Sequence, residues 1–286
     1  MKILGVSRAQ RYSPNSVERD AAIFKIVCAN LLASGAEVAV VDEDELRNAD
    51  GYEAIFSMAR NNRVQNLLYQ QEKMGVFVLN SPSSLRNLRR SSLLSLPGEL
   101  RDRVAPMQLA SQPVCSRQFP LWWKRDVPAV AQDDVRMLHT LAELSPAMQT
   151  DAAIFMGHVD GVLLKCYGVV DTDFFSVHTS VFHKFGSENS PRVPEPSRTV
   201  EPTLSTVEPT LSTVEPTLST VEPTLRVFCD AVARSLGVSV YGADVVCRPE
   251  GSFSLIDFND WPSFAACRDE AAHAISNLIL NNSSKQ

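Results

Sequence analysis

Two aspartates and an asparagine near the end of the chain are spaced so that one short hairpin can bring them together. Asp244 lies in Val240-Tyr-Gly-Ala-Asp244-Val-Val-Cys, and Asp257 and Asn259 lie in Ser254-Leu-Ile-Asp257-Phe-Asn259-Asp-Trp-Pro. Between the two runs stands Arg248-Pro249-Glu250-Gly251, with proline and glycine at the second and fourth positions of a type I turn. If those four residues form the loop, Cys247 pairs with Ser252, Val246 faces Phe253, Asp244 faces Leu255 and Gly242 faces Asp257. Strand alternation then puts Asp257 and Asn259 on one face, with Asp244 a diagonal neighbour of Asp257 on that face, about 7 Å away. Two carboxylates and an amide oxygen make a hard-oxygen site. Mg²⁺ takes a few such ligands and completes its octahedron with phosphate oxygens and water, and without a cation the carboxylates would repel each other. The plainer reading is that Asp257, Asn259 and Asp260 end a strand as turn formers. Asp257 follows Ser-Leu-Ile inside an otherwise apolar run, which favours the metal reading.

Two lysines suit the same chemistry. Lys124 ends Leu121-Trp-Trp-Lys124, and Lys165 follows Val162-Leu-Leu among apolar residues. Each alone would more commonly be a solvated charge at a strand end. Lys165, however, would be costly to bury without a partner, and a bound anion would resolve that cost.

The hairpin resembles the C-terminal metal-binding segment of ATP-grasp enzymes such as the D-alanine–D-alanine ligases and RimK-like ligases. Those proteins bear acid, acid and Asn at the same spacing of thirteen and then two residues. The phrase Ile256-Asp-Phe-Asn-Asp-Trp-Pro-Ser-Phe264 is especially similar to a bacterial subgroup of undefined substrate. The resemblance covers nearly the whole chain apart from a repeat described below. It implies an ATP-grasp fold of α/β and α+β class, with a pre-ATP-grasp α/β domain at residues 1–90 and an ATP-grasp domain at 91–286. Within the latter it implies a lid at about 115–165 and a C-terminal metal-binding subdomain at about 166–286, with Asn80-Ser81-Pro82 as the exit from the first domain. By resemblance Asp244, Asp257 and Asn259 hold Mg²⁺, and Lys124 and Lys165 are the catalytic lysines that contact the ATP phosphates. Asp160 and Arg248 are further cofactor contacts, and Arg125 is a weaker one. The implied reaction is ligation, in which a carboxylate of a small-molecule or peptide substrate is activated by ATP as an acyl-phosphate and captured by an amine.

Departures from the pattern keep a second reading open, a catalytically degenerate nucleotide-binding or interaction module. The loop after Lys124, Arg125-Asp-Val-Pro-Ala-Val-Ala-Gln132, lacks the glycines by which many relatives cover the phosphates. Gly157 stands where relatives offer a glutamate near the ribose, and Asp160 is its only nearby substitute. Position 242 holds glycine where the D-alanine ligase pattern has an arginine.

The elements that must position these residues alternate at first between strand and helix. Residues 2–6, 37–41, 52–58 and 75–79 read as strands. Residues 62–73 read as a helix, and an earlier helix runs to about Ala33 from a capping box of Asn15 and Glu18. Strands separated by helices imply parallel pairing. Residues 121–124, 152–156, 162–170 and 174–182 follow as strands, with an amphipathic helix expected at 134–144. A helix from Pro223, ended by Gly237, would bury Leu225, Phe228, Val232 and Leu236. The hairpin and a last helix at 268–280 complete the chain. No GxGxxG follows the first strand, which argues against a dinucleotide site.

Residues 199–225 are a tandem repeat of Thr-Val-Glu-Pro-Thr-Leu-Ser, three full copies and a fourth lacking its Ser. Proline at 202, 209, 216 and 223 opposes helix and central strand alike, so the repeat reads as a disordered insertion whose copy number is nearly neutral to the fold.

Composition bounds the partners. A net charge of −6 and a pI near 5.4 oppose nucleic-acid binding, and no apolar run approaches the roughly 18–20 residues of a membrane span. Six cysteines without a CxxC pair read as the free thiols of a cytoplasmic protein. His139, His158, His178, His183 and His273 do not cluster as metal ligands. Most read as surface or satisfied strand histidines, with His178 and His183 the two active-site candidates.

Overall fold

The computed structural model describes residues 1–14, 16–126, 134–179 and 215–283. Its first part is a parallel sheet of β1 (Lys2–Ser7), β2 (Glu37–Asp42), β3 (Ala54–Ser57) and β4 (Phe77–Leu79), in the order β2-β1-β3-β4. The helices α1 (Val17–Ala33) and α2 (Asn62–Lys73) supply the crossovers. On α1, Ile23, Phe24, Val27 and Leu31 recur at helical spacing and are buried. Asn15 lies outside the described residues, and Ser16 is the N-cap of α1 without a side-chain capping bond.

Short helices α3 (Pro82–Asn87) and α4 (Gly98–Asp102) lead to an antiparallel sheet of β5 (Met107–Leu109), β6 (Leu121–Arg125), β7 (Val135–Leu138) and β8 (Ala153–Gly157), ordered β5-β8-β6-β7. The helix expected at 134–144 is therefore a strand followed by a single 3₁₀ turn at Leu141–Glu143. Val135 and Leu138 satisfy helical spacing, but pairing of this segment with Leu121–Lys124 overrides so short a periodicity.

The last sheet contains β9 (Val162–Val169), β10 (Phe175–Thr179), β11 (Val240–Cys247) and β12 (Phe253–Asp260), antiparallel in the order β10-β9-β11-β12. Helix α5 (Glu215–Leu236) packs its Leu225, Phe228, Cys229 and Val232 against Leu164, Cys166, Val245 and Leu255. Helix α6 (Arg268–Ser283) packs with α1 and the parallel sheet, around Trp261 and Phe264. Among the described residues no helix is long and apolar enough to cross a membrane.

Residues 199–214 of the repeat lie outside the described residues, but the remainder corrects the reading of the whole repeat as disordered. Residues 215–225 are the first turns of α5, with Pro223 inside the helix rather than at its start. Val221 is 8% and Leu225 0% exposed. The Val and Leu of each heptad are four residues apart, so on a helix they share a face. In the fourth copy that face continues the stripe of Phe228, Cys229 and Val232, and its docking offsets the backbone bond that proline removes.

Asn80 ties the parallel sheet to the last one. Its side-chain amide donates to the Val240 carbonyl at 2.8 Å, and its oxygen accepts from the Ser239 and Val240 N–H groups at 2.9 and 2.8 Å.

Candidate functional site

The hairpin forms, with a different register. Cys247 pairs with Phe253, Val246 with Ser254 and Val245 with Leu255, whereas Asp244 pairs with Asp257 and Gly242 with Asn259. The loop is one residue longer than the four-residue turn, with the Arg248 N–H donating to the Ser252 carbonyl at 2.8 Å. Ile256 is the extra residue of a β-bulge between the two paired segments. The two shifts together place Asp244 directly across from Asp257 rather than diagonal to it.

The row continues on the other side. Asp244 pairs with Lys165 on β9, and Lys165 pairs with His178 on β10. Directly paired residues share a sheet face, so His178, Lys165, Asp244 and Asp257 form one transverse line. Lys165 Nζ is 3.0 Å from Asp244 Oδ1, and their side chains are 36% and 29% exposed. That pair forms an accessible rim. It also supplies Lys165 with the partner that the sequence reading sought in a bound anion.

Lys124 reaches the row from the neighbouring sheet. Buried on β6, it donates from Nζ to the Ile256 carbonyl at 2.7 Å and lies 3.5 Å from Met156 Sδ. The bulge thus diverts a backbone carbonyl to hold a buried ammonium. An apolar floor of Ile154, Met156 and Val246, with Ile256 packed against it, fills the seam between the two sheets.

Arg90, in a 3₁₀ segment (Arg90–Ser95) after α3, completes the charged group, and sequence reasoning missed it. Its Nη2 stands 3.6 Å from Asp257 Oδ2, its Nη1 donates to the Arg125 carbonyl at 2.6 Å, and its buried Nε has no hydrogen-bond partner among the described residues. Nothing in Arg89-Arg90-Ser-Ser distinguishes it from a solvated arginine.

Five charges therefore meet here: Lys124, Lys165 and Arg90 against Asp244 and Asp257. Burial opposes charge on Asp257, but Arg90 and then Lys124, with hydrogen bonds from the Phe258 N–H and the Asn259 side chain, hold its carboxyl below the usual range. Asp244 moves the other way. Burial pushes it up, Lys165 opposes, and repulsion from Asp257 adds to the rise. Burial pulls the Lys124 ammonium down, against the attraction of Asp257 and with the repulsion of Arg90. The cluster carries one more positive than negative group, which favours an anion. Its carboxylate pair and the exposed Asn259 amide favour a hard divalent cation beside that anion. Among the described residues no three His, Cys, Asp or Glu side chains converge as a metal cage, so any cation here would need ligands from elsewhere.

Other candidate residues lie apart from this line. Asp160 is exposed and accepts from His158 Nε2 at 3.1 Å, while His158 Nδ1 accepts from the Trp122 indole at 3.1 Å. Arg248 sits at the hairpin tip, 3.4 Å from the Ser252 and Ser254 hydroxyls. The Arg125 side chain turns to Asp134 at 3.2 Å. Most of the loop after Lys124, and His183, lie outside the described residues.

No protein-family model matches the chain, and no curated protein sequence matches it. Solved structures do. D-alanyl-alanine synthetase A from Vibrio cholerae superposes with a TM-score of 0.67 at 13% identity, over 100% of this chain and 98% of that one. The ATP-grasp ligase PsnB, complexed with a minimal precursor, Mg and ADP, gives 0.60 at 14% identity over 99% and 98%. A RimK domain ATP-grasp protein from Sphaerobacter thermophilus gives 0.58 at 12% identity over 97% and 99%. Identities this low speak to architecture, and the architecture is plain: this chain has the ATP-grasp fold.

Proposed function

We propose that the chain is a cytoplasmic Mg-ATP-dependent ligase that joins a carboxylate to an amine. The observation that carries the reading is the direct pairing of Asp244 with Asp257, enclosed by Lys165, Lys124 and Arg90 at the seam of two sheets. Such a cluster suits a polyphosphate held through a divalent ion better than it suits a purely structural role. On this reading the parallel sheet is the pre-ATP-grasp domain, residues 115–165 are the lid, and residues 166–286 the metal-binding part.

Asp244, Asp257 and Asn259 would hold Mg²⁺, and phosphate oxygens and water would complete its shell. Bound Mg²⁺ would supply charge stabilisation to the transferring phosphoryl group. Lys124, Lys165 and Arg90 would hold the phosphates. Lys165 and Arg90 now face carboxylates, so ligand entry would exchange those ion pairs for contacts with phosphate and metal. Little covalent chemistry is asked of these side chains, since positioning and charge complementarity carry the rate. The structural neighbours add support, since they include a D-alanyl-alanine synthetase and an ATP-grasp ligase complexed with a precursor peptide or with Mg and ADP.

A second reading, binding without turnover, is favoured by Gly242. A Cβ there would meet Pro262 Cβ at 2.9 Å, so no arginine fits that place without a shift. ADP release with candidate carboxylates and amines separates the two readings. A ligase consumes ATP only when both are present, and a binding module leaves ATP intact.

A further inference from the structure

Strand β12, which carries Asp257 and Asn259, is an edge of the last sheet. An edge strand is paired on one side only, so its other side depends on what else braces it. At Leu255 the backbone does so. The Ala105 N–H donates to the Leu255 carbonyl at 2.9 Å, and the Leu255 N–H donates to the Arg103 carbonyl at 2.8 Å. Beyond Leu255 no backbone partner among the described residues reaches that side. Three cationic side chains hold this stretch instead. Lys124 donates to the Ile256 carbonyl, Arg90 stands by the Asp257 carboxylate, and Arg60 Nη2 donates to Asp260 Oδ1.

Two of the three are committed to the nucleotide on the reading above. Lys124 and Arg90 would turn to phosphate oxygens, which leaves Arg60 as the hold that persists. Alternation along β12 directs Asp260 away from the face of Asp257 and Asn259. Arg60 therefore grips the strand from behind that face and does not compete for the metal. The Arg60 and Asp260 side chains are 12% and 1% exposed, and Asp260 Oδ2 has no hydrogen-bond partner among the described residues.

Arg60 is itself fixed at its backbone. It follows β3 in Met58-Ala59-Arg60-Asn61. The fully buried Glu43, just after β2, accepts from the Arg60 N–H at 2.8 Å and the Asn61 N–H at 2.6 Å. Its other oxygen accepts from the Ala9 N–H at 2.6 Å. One carboxylate thereby pins the turns after β1 and β3, and Asn61 also caps α2 by accepting from the Arg63 N–H at 2.9 Å. On the far side of the ion pair Trp261 follows Asp260, and its ring lies 6.4 Å from that of Phe56 on β3. The end of β12 is thus docked on β3 by one buried ion pair and one aromatic contact.

We infer that Arg60 is a positioning residue for Asn259: through Asp260 it fixes the end of β12, and so the Asn259 amide, when Lys124 and Arg90 turn to phosphate. This rests on the Mg-ATP reading above.

The test uses the full chain with Mn²⁺ as the probe, titrated in the presence of a non-hydrolysable ATP analogue and followed by the EPR signal of free Mn²⁺. Arg60→Met should weaken Mn²⁺ binding about tenfold, as loss of a group that orients a metal ligand does. A fall in stability alone would not separate positioning from simple docking, so the deciding comparison is with Asn259→Ala. Once the amide is gone there is nothing left to position. Arg60→Met added to Asn259→Ala should therefore weaken binding by less than about a further twofold. A loss below about threefold in Arg60→Met overturns the assignment, and so does a larger further loss in the double variant. Should Arg60→Met not fold, Arg60→Gln is read against the same two limits. A wild-type chain that binds no Mn²⁺ with the analogue refutes the Mg-ATP reading itself, and the positioning role with it.

Discussion

Asp244 and Asp257 stand directly opposite each other on β11 and β12, and they are neutralised from different sides. Asp244 faces Lys165 at a partly open rim, whereas Asp257 faces the enclosed Arg90 and Lys124. Like charges directly opposed destabilise a sheet, so neutralising one removes repulsion, but the cation left behind decides the net effect. Asp244→Asn frees a partly exposed lysine, and partly exposed pairs contribute little; urea unfolding should change by less than about 1 kcal/mol. Asp257→Asn strands a buried guanidinium and should cost about 2 kcal/mol or more. Equal costs would refute this division of the cluster.

Lys124 is a buried cation in a cluster that has a positive excess. Lys124→Met should leave the free protein as stable or more stable, by up to about 1 kcal/mol, because burial disfavours the ammonium by more than its carboxylate neighbours favour it, as its lowered pKa states. The sign of the pH dependence follows from its lowered pKa. Unfolding returns the ammonium to its ordinary 10.5, so between the folded value and 10.5 the unfolded chain binds more protons and wild-type stability rises with pH. The advantage of Lys124→Met should therefore shrink as pH rises toward 10. A gap that widens with pH would contradict the burial argument.

Asn80 makes three hydrogen bonds to the start of β11 and is 1% exposed. Asn80→Ala should cost about 2–4 kcal/mol, since it leaves buried backbone groups unpaired. Denaturant unfolding followed by two probes would check this. A loss below about 1 kcal/mol would mean that the two sheets are held by packing alone.

The fourth repeat copy is part of the core. Leu225→Ala should cost about 2–4 kcal/mol, whereas Val227→Ala, at a position 71% exposed, should stay within about 0.5 kcal/mol. Deleting one or two of the seven-residue copies leaves an identical sequence to dock, so stability should fall by less than about 2 kcal/mol. A larger fall would show that the total length of the repeat matters.

Sequence carried the long periodic elements well. The stripe of Ile23, Val27 and Leu31, the helix at Asn62–Lys73, and the strands around Lys124 and Lys165 emerge where apolar spacing and end signals agree. It failed where tertiary pairing decides. Residues 134–144 satisfy helical spacing over too few residues to resist pairing with Leu121–Lys124. The bulge at Ile256 has no local signature, because it is specified jointly by β11 and by Lys124 reaching for its carbonyl. Arg90 was illegible for a similar reason. Its role comes from being 3.6 Å from a residue 167 positions later.

The most direct test is the melting temperature with and without MgATP, in wild type and Asp257→Asn, each referred to its own unliganded state. Ligand at a hundred times its dissociation constant stabilises by about 2.7 kcal/mol. The account predicts a clear rise in the wild type that EDTA removes and that the variant largely lacks. An equal rise in the variant, or one that survives EDTA, would contradict a metal-bridged nucleotide at Asp244 and Asp257.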